Sequence, residues 1–114
     1  MKYKIIKSDR FLKLMSVFIE VSAITLYPFI VVPKDFSNVI TLNHERIHLE
    51  QQKELLIVFF YILYILYWLK NRVQGMNNLE AYMNIPFEQE AYKHQNNFNY
   101  LKERKKYAWK TIKN

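Results

Sequence analysis

The 114-residue sequence predicts a single α+β domain over residues 1–114, mostly helical, with a small N-terminal β element followed by two long helices. Three observations predict this class. One glycine and three prolines leave few sharp turns, which favours long helices over a many-stranded β fold. Residues 23–32 are rich in β-branched and aromatic types, and residues 39–72 contain no helix-stopping signal.

The N-terminal third predicts the β element and the start of the first helix. Its beginning is basic and then apolar, but Glu20 interrupts the apolar stretch, so it is not a convincing signal peptide. The segment AITLYPFIVV (23–32) predicts one or two strands, with Pro28 at an edge or a bend. The segment PKDFSN predicts a loop, in which Ser37 or Asn38 caps the next helix.

The long helix predicted from Val39 to Arg72 contains an unbroken apolar and aromatic segment, Leu55–Leu69. A helix of that length spans about 22 Å, short of the roughly 30 Å hydrocarbon core of a bilayer. Two interpretations are open: a helix buried on all sides, or a membrane-embedded segment.

The C-terminal third predicts a linker and a last helix. Gly75 within NRVQGMNN is the expected C-cap of the long helix. The segment YMNIPFEQEAY then opens the last helix, with Asn84 as its cap and Pro86 in its first turn. A helical pattern of apolar residues continues to near the C-terminus.

The amino-acid composition limits which side chains could bind a metal and which partners the chain could have. Cysteine is absent, so any metal must be held by His, Asp or Glu, and a reducing compartment fits. The formal charge of +7 is concentrated in two terminal groups, which we interpret as solvated termini; nucleic acid or anionic lipid is the alternative partner. The groups are Lys2, Lys4, Lys7, Arg10 and Lys13, and Lys102, Arg104, Lys105, Lys106, Lys110 and Lys113.

The motif His44-Glu45-x-x-His48 lies on the predicted long helix. Residues four apart on a helix point the same way, so His44 and His48 can hold one ion. Glu45 is rotated by about 100° from His44, which places its carboxylate beside the metal. There it can take a proton from a water that zinc acidifies, so the spacing is typical of a zinc hydrolase.

A catalytic zinc usually has three protein ligands, so a third must come from elsewhere in the chain. Glu54 is too near along the same helix, and Glu80 lies in the predicted linker. The segment PFEQEAY is the best source, because it opens a helix that can lie across the first.

An HExxH helix followed by Glu-x-x-Ala in a later helix resembles the gluzincin class of zinc metallopeptidases. FEQEA is similar to the third-ligand segment of the membrane-associated CAAX-protease type, and the length resembles the soluble minigluzincins. The resemblance covers about Asn43 to Tyr92 and implies a zincin-like core. It implies that His44, His48 and Glu88 are zinc ligands and that Glu45 is the general base. It also implies that an edge strand above the motif helix, here AITLYPFIVV, aligns the substrate.

The third ligand has an alternative in Glu90, which lies slightly nearer the apolar face of its helix and has His94 one turn on. The Glu-x-x-Ala match favours Glu88. Tyr92 stands where the related proteins carry an Asp that orients a ligand, so another group must orient the site. Asn43 and Gln51 are candidates for that role. His94, Tyr82 and Tyr92 are weaker candidates for stabilising an oxyanion.

The function expected from the sequence is zinc-dependent hydrolysis of a peptide or protein substrate, in the cytoplasm or at a membrane. Two alternatives are a small membrane-associated protein with a non-catalytic metal site and a basic nucleic-acid-binding protein, the latter being disfavoured.

Overall fold

The computed structural model describes residues 3–10, 12 and 23–112. In that part of the chain, a three-stranded sheet precedes the helices, and the predicted α+β class with mostly helical content is confirmed. The strands are β1 (Lys4–Lys7), β2 (Ile24–Leu26) and β3 (Phe29–Val32). The helices are α1 (Val39–Glu54), α2 (Val58–Val73), α3 (Asn78–Met83), α4 (Pro86–His94) and α5 (Tyr100–Glu103), followed by a 3₁₀ helix at Ala108–Thr111.

The sheet has the order β1-β3-β2, with β3 in the centre. The predicted segment forms two antiparallel strands, in which Ile24 pairs with Val31, and Pro28 lies in the turn between them. β1 pairs with β3 in parallel. This strand was not predicted, because its lysines were interpreted only as part of a basic terminus. Within the described residues, β2 is an edge strand.

Helix α1 begins where predicted. The side chain of Asn38 accepts hydrogen bonds from the backbone amides of Ile40 and Thr41, which satisfies two amides that have no partner within the helix. Leu49 packs with Ile30 and Val32 of β3, so one side of α1 lies on the sheet. The motif is carried on the buried part of this helix.

The predicted continuous helix from Val39 to Arg72 is wrong. Helix α1 ends at Glu54, and α2 leaves it at an angle of 111°. The amide of Leu56 donates to Lys53 O and that of Ile57 donates to Gln52 O, the paired bonds of a Schellman C-cap. Leu56 therefore occupies, at φ 54°, the left-handed position that usually belongs to glycine.

Helix α2 is buried on one face only, so the expectation of burial on all sides is also wrong. Phe60 and Asn71 are buried, whereas Ile62, Leu66 and Leu69 on the opposite face are about half exposed. Among the described residues, no single helix is long and apolar enough to span a membrane. The bent pair α1 and α2 reaches the required length and hydropathy only when the two helices are taken together.

The chain after α2 contains shorter helices than predicted. Gly75 has φ 97° just beyond α2, as expected for the residue that follows a helix cap. The predicted linker is shortened by α3, and Asn84 ends α3 instead of capping the last helix. Pro86 opens α4 as predicted.

The predicted long last helix ends early, at His94. An asparagine-rich segment follows, in which the side chain of Asn97 accepts from the amide of Asn99, a local turn that competes with the helix. The chain then folds back, and Trp109 packs with Phe60, Ile85 and Phe87 in one buried cluster. This cluster joins α2, α4 and the C-terminal segment.

Candidate metal site

Helices α1 and α4 lie against each other and supply the side chains of the candidate site. His44, Glu45 and His48 of α1 are 6%, 6% and 5% exposed, which is unusual for groups that carry or accept charge. Glu88 in the first turn of α4 is equally buried. Buried polar groups of this kind need partners, and each of these side chains has several.

Three ligand atoms form an equilateral triangle. His44 Nε2 lies 3.1 Å from His48 Nε2, and each of these nitrogens lies 3.1 Å from Glu88 Oε1. Tetrahedral zinc with bonds of about 2.0–2.1 Å has ligand atoms about 3.3 Å apart. The spacing of the three atoms therefore suits a single zinc-sized ion.

Two glutamine side chains set the tautomers of the histidines. Gln51 Nε2 donates to Phe87 O and to Glu90 Oε1, so its oxygen faces His48 Nδ1 at 2.7 Å. His44 Nδ1 lies 2.9 Å from Gln95 Oε1. An amide oxygen only accepts, so each Nδ1 carries a proton and each Nε2 is the nitrogen left to bind either a proton or a metal ion in the triangle.

Three electron-pair donors thus converge in the triangle, and a cation placed between them would offset their negative charge. Burial lowers the pKa of His48, but the charge of Glu88 and its hydrogen bond outweigh burial and raise that pKa to about 9. Burial by itself would raise the pKa of Glu88, yet the two histidines hold it well below its usual range. A positive charge between these groups is therefore strongly favoured, and the donor set fits a divalent metal ion.

Glu45 lies beside the triangle. Its nearest carboxylate oxygen is 3.8 Å from His44 Nε2, farther than Glu88 is. Glu45, His44 and His48 each offer an atom within 4.8 Å of the others, but the shorter distances make Glu88 the better third ligand. Thr25 Oγ1 lies 3.2 Å from Glu45 Oε1 and can donate to it. Burial raises the pKa of Glu45, against the opposing effect of the histidines.

Tyrosines surround Glu88. Tyr64 donates a hydrogen bond of 2.7 Å to Glu88 Oε2, and Tyr82 donates one of 3.2 Å to Oε1. The hydroxyls of Tyr82 and Tyr92 lie 3.0 Å apart, and the ring of Tyr92 contacts that of His44 edge-on. Burial, and then the charge of Glu88, raise the pKa of Tyr64 and of Tyr82 far above 10, so both hydroxyls stay protonated as donors.

Glu90 points away from the histidines, so the structure does not bring the alternative third ligand to the triangle. It accepts hydrogen bonds from Gln51, Tyr100 and Arg104. Arg104 also makes two hydrogen bonds of 2.9 Å with Glu54. His94 stacks on Tyr100 with ring centroids 3.7 Å apart, and no hydrogen bond joins it to the described site residues.

The residues that orient the site were predicted only in part. Gln51 was expected, whereas Asn43 acts indirectly by donating to Gln95 O and Asn97 O. Gln95, Tyr64 and Thr25 were missed. Gln95 lies one helical turn beyond Tyr92, so a search one turn past the expected position would have found it. Nothing in the sequence marks Tyr64 or Thr25, because both are set by packing.

The edge strand β2 lies next to the motif helix, as the resemblance implied, but its outer edge is partly occupied. Gln52 Nε2 donates to Thr25 O at 2.9 Å, and Gln52 Oε1 accepts from the amide of Tyr27 at 2.8 Å. Tyr61 also donates to Thr25 O. A side-chain amide here takes the place of a neighbouring strand.

Comparisons of the chain with known protein families, with curated proteins and with solved structures find no match.

Proposed function

We propose that the chain is a zinc-dependent peptidase that hydrolyses peptide bonds in a peptide or protein substrate. His44, His48 and Glu88 would hold the metal, and Glu45 would serve as the general base. The observation that carries this proposal is the 3.1 Å triangle of ligand atoms with a separate buried carboxylate beside it. In a purely structural site a fourth protein ligand binds the metal directly, whereas Glu45 lies farther from His44 Nε2 than Glu88 does, as suits a base beside the metal.

A bound zinc ion would supply a Lewis acid that polarises a carbonyl group and acidifies water. Glu45 would take a proton from the attacking water as the new C–O bond forms. It would then deliver that proton to the leaving nitrogen as the C–N bond breaks. The hydroxyl of Thr25 lies 3.1 Å from Glu45 O and 3.2 Å from Glu45 Oε1, so its one proton is shared between these acceptors and keeps the carboxylate near the backbone of α1.

Tyr82 and Tyr92 are candidates for stabilising the negative charge that develops on the substrate oxygen. Tyr92 is 37% exposed and contacts His44, so its hydroxyl lies where a substrate can approach the site. A peptide that paired with β2 would have to displace Gln52 from Thr25 and Tyr27. We therefore expect Gln52 to limit the pairing of peptide substrates with the edge of β2.

The setting that we propose for this activity is the cytoplasm or a membrane surface. The absence of cysteine agrees with a reducing compartment.

The test is Glu45→Gln, which keeps the shape of the side chain but cannot accept the proton. Zinc content should remain at one ion per chain, while hydrolysis of a quenched fluorescent peptide library should fall by about 10²-fold or more. Glu50→Gln is the matched control on the same helix and should leave both unchanged. A wild-type protein without zinc after metal-replete expression, or an unchanged rate in Glu45→Gln, would overturn the proposal.

A further inference from the structure

The outward side of α2 carries an unusual concentration of apolar side chains. We call this side the outer face of α2; it consists of Val58, Phe59, Ile62, Ile65, Leu66, Leu69 and Val73, which are 47–87% exposed. Helical periodicity puts these residues opposite the buried Phe60 and Asn71. Soluble proteins rarely expose so large a contiguous apolar patch without a partner.

The charges around the outer face are positive at both ends. Lys70 and Arg72 are exposed in the last turn of α2. At the other end, the amide of Tyr107 donates to Glu54, next to the break between α1 and α2. Lys106 and Lys110 lie over the ring of Tyr107, with their Nζ atoms 5.6 and 4.8 Å from its centroid.

Apart from Glu54, which is paired with Arg104, acidic residues are missing from the sequence segments that form this region. Residues 55–79 and 104–114 contain no Asp or Glu. An apolar helix face that is flanked by cations at both ends complements a lipid bilayer with an apolar interior and an anionic surface. Another protein could match the apolar face, but it would need its own acidic rim, whereas an anionic bilayer offers both features together.

We propose that the outer face of α2 docks on the surface of an anionic lipid bilayer, with the helix axis parallel to the membrane plane. Three observations favour this orientation over a spanning one. Helix α2 has 16 residues, or about 24 Å, against a hydrocarbon core of roughly 30 Å. Its other face is held by Phe87 and Trp109 through the buried cluster. No single described helix is able to span.

The outer face lies on the side of α2 that is turned away from Glu88, which Tyr64 contacts from the inner side. Docking would therefore leave the candidate metal site in place. The docking proposal does not depend on peptide hydrolysis, so each proposal can fail without the other.

The experiment is co-sedimentation of the full chain with vesicles of phosphatidylcholine and phosphatidylserine, and with vesicles of phosphatidylcholine alone. The wild type should bind the mixed vesicles more tightly. Ile62→Gln and Leu66→Gln should each weaken binding by roughly tenfold or more, because each removes a side chain that enters the bilayer. Lys106→Gln and Lys110→Gln should each weaken binding by about fivefold and reduce its dependence on salt.

Matched controls are Val39→Gln and Leu79→Gln, which alter side chains that are 62% and 69% exposed outside the outer face. Both should bind as the wild type does. Circular dichroism and zinc content should be unchanged in every variant, because the altered groups are exposed. These checks separate loss of docking from loss of folding.

Three results would overturn the proposal. The first is no binding to either vesicle by a monomeric protein. The second is a dimer in sedimentation velocity that Leu66→Gln dissolves, without vesicle binding. The third is vesicle binding that Ile62→Gln and Leu66→Gln leave unchanged.

Discussion

At the scale of single residues, the chemistry of the candidate site depends on glutamines that carry no charge. Gln51 and Gln95 accept from the Nδ1 atoms of the histidines and so turn both Nε2 atoms towards Glu88. A carboxylate is a common partner for the Nδ1 atom of a metal-binding histidine. A neutral acceptor fixes the tautomer equally well, but it adds no negative charge, so the charge of the ligand set comes from Glu88 alone.

The two glutamates of α4 are expected to differ in how they affect zinc. Glu88→Gln keeps the side-chain volume but removes the anionic ligand, so we expect zinc affinity to fall by more than the roughly 10–100-fold that is typical of outer partners. Glu90→Gln should stay within that range, because Glu90 acts on His48 only through Gln51. Titration against a competing chelator measures both affinities, with circular dichroism as a check of folding. A larger loss in Glu90→Gln would contradict the assignment of Glu88 as the ligand.

At the scale of elements, the break between α1 and α2 decides which face of the apolar segment is buried. A continuous helix would carry Phe60 and Tyr64 away from α4. The turn of 111° brings them back, so Phe60 packs on Phe87 and Tyr64 reaches Glu88. The break has a conformational cost, since Leu56 and the β-branched Ile57 both have positive φ angles.

That cost predicts a stabilising substitution. Leu56 is 72% exposed and sits at φ 54°, so Leu56→Gly removes strain and few contacts. We expect the free energy of unfolding to rise by about 1 kcal/mol. Leu66→Gly, at an exposed position inside α2, should instead lower it by about 1 kcal/mol. Urea denaturation compares the two, and destabilisation by Leu56→Gly would show that the left-handed position is not strained.

At the scale of the whole molecule, Arg104 holds distant parts of the chain together. Its guanidinium binds Glu54 at the end of α1 and Glu90 in α4, and its side chain is 4% exposed. The interactions of Glu90 with Gln51, and of Gln51 with His48, extend this network to the candidate site. One guanidinium between two carboxylates also keeps two buried negative charges from facing each other unpaired.

Removing this cation should therefore be costly. Arg104→Met leaves both carboxylates buried without their partner, and we expect a loss of about 3–5 kcal/mol in the free energy of unfolding. Arg72→Met, an exposed control, should change it by less than about 0.5 kcal/mol. Adding Glu54→Gln and Glu90→Gln to Arg104→Met should recover part of the loss. Urea denaturation of the zinc-free protein measures these effects, and a loss below about 1 kcal/mol would mean that water replaces the guanidinium.

The sequence by itself determined the features that depend on local pattern. The β-branched and aromatic residues of segment 23–32 predicted one or two strands, and Ser37 or Asn38 was the expected cap of α1. The i, i+4 spacing predicted that His44 and His48 would share one side of a helix. The Glu-x-x-Ala resemblance favoured Glu88 over Glu90, and α4 places Glu88 Oε1 3.1 Å from the Nε2 atoms of both histidines. The strands, the start of α1 and the shared side of the two histidines need only neighbours along the chain, whereas the approach of Glu88 to the histidines needs α4 to pack on α1.

The tertiary structure alone decided what depends on contacts between distant residues. The break at Leu56 contains no glycine or proline, so the sequence gives no local signal for it. Its backbone strain is offset by the packing of Phe60 and by the binding of Glu54 to Arg104 and Tyr107. Gln95 became the partner of His44 only because α4 ends beside α1. One face of the apolar segment is buried and the other is exposed, since α2 meets the rest of the described chain on one side only.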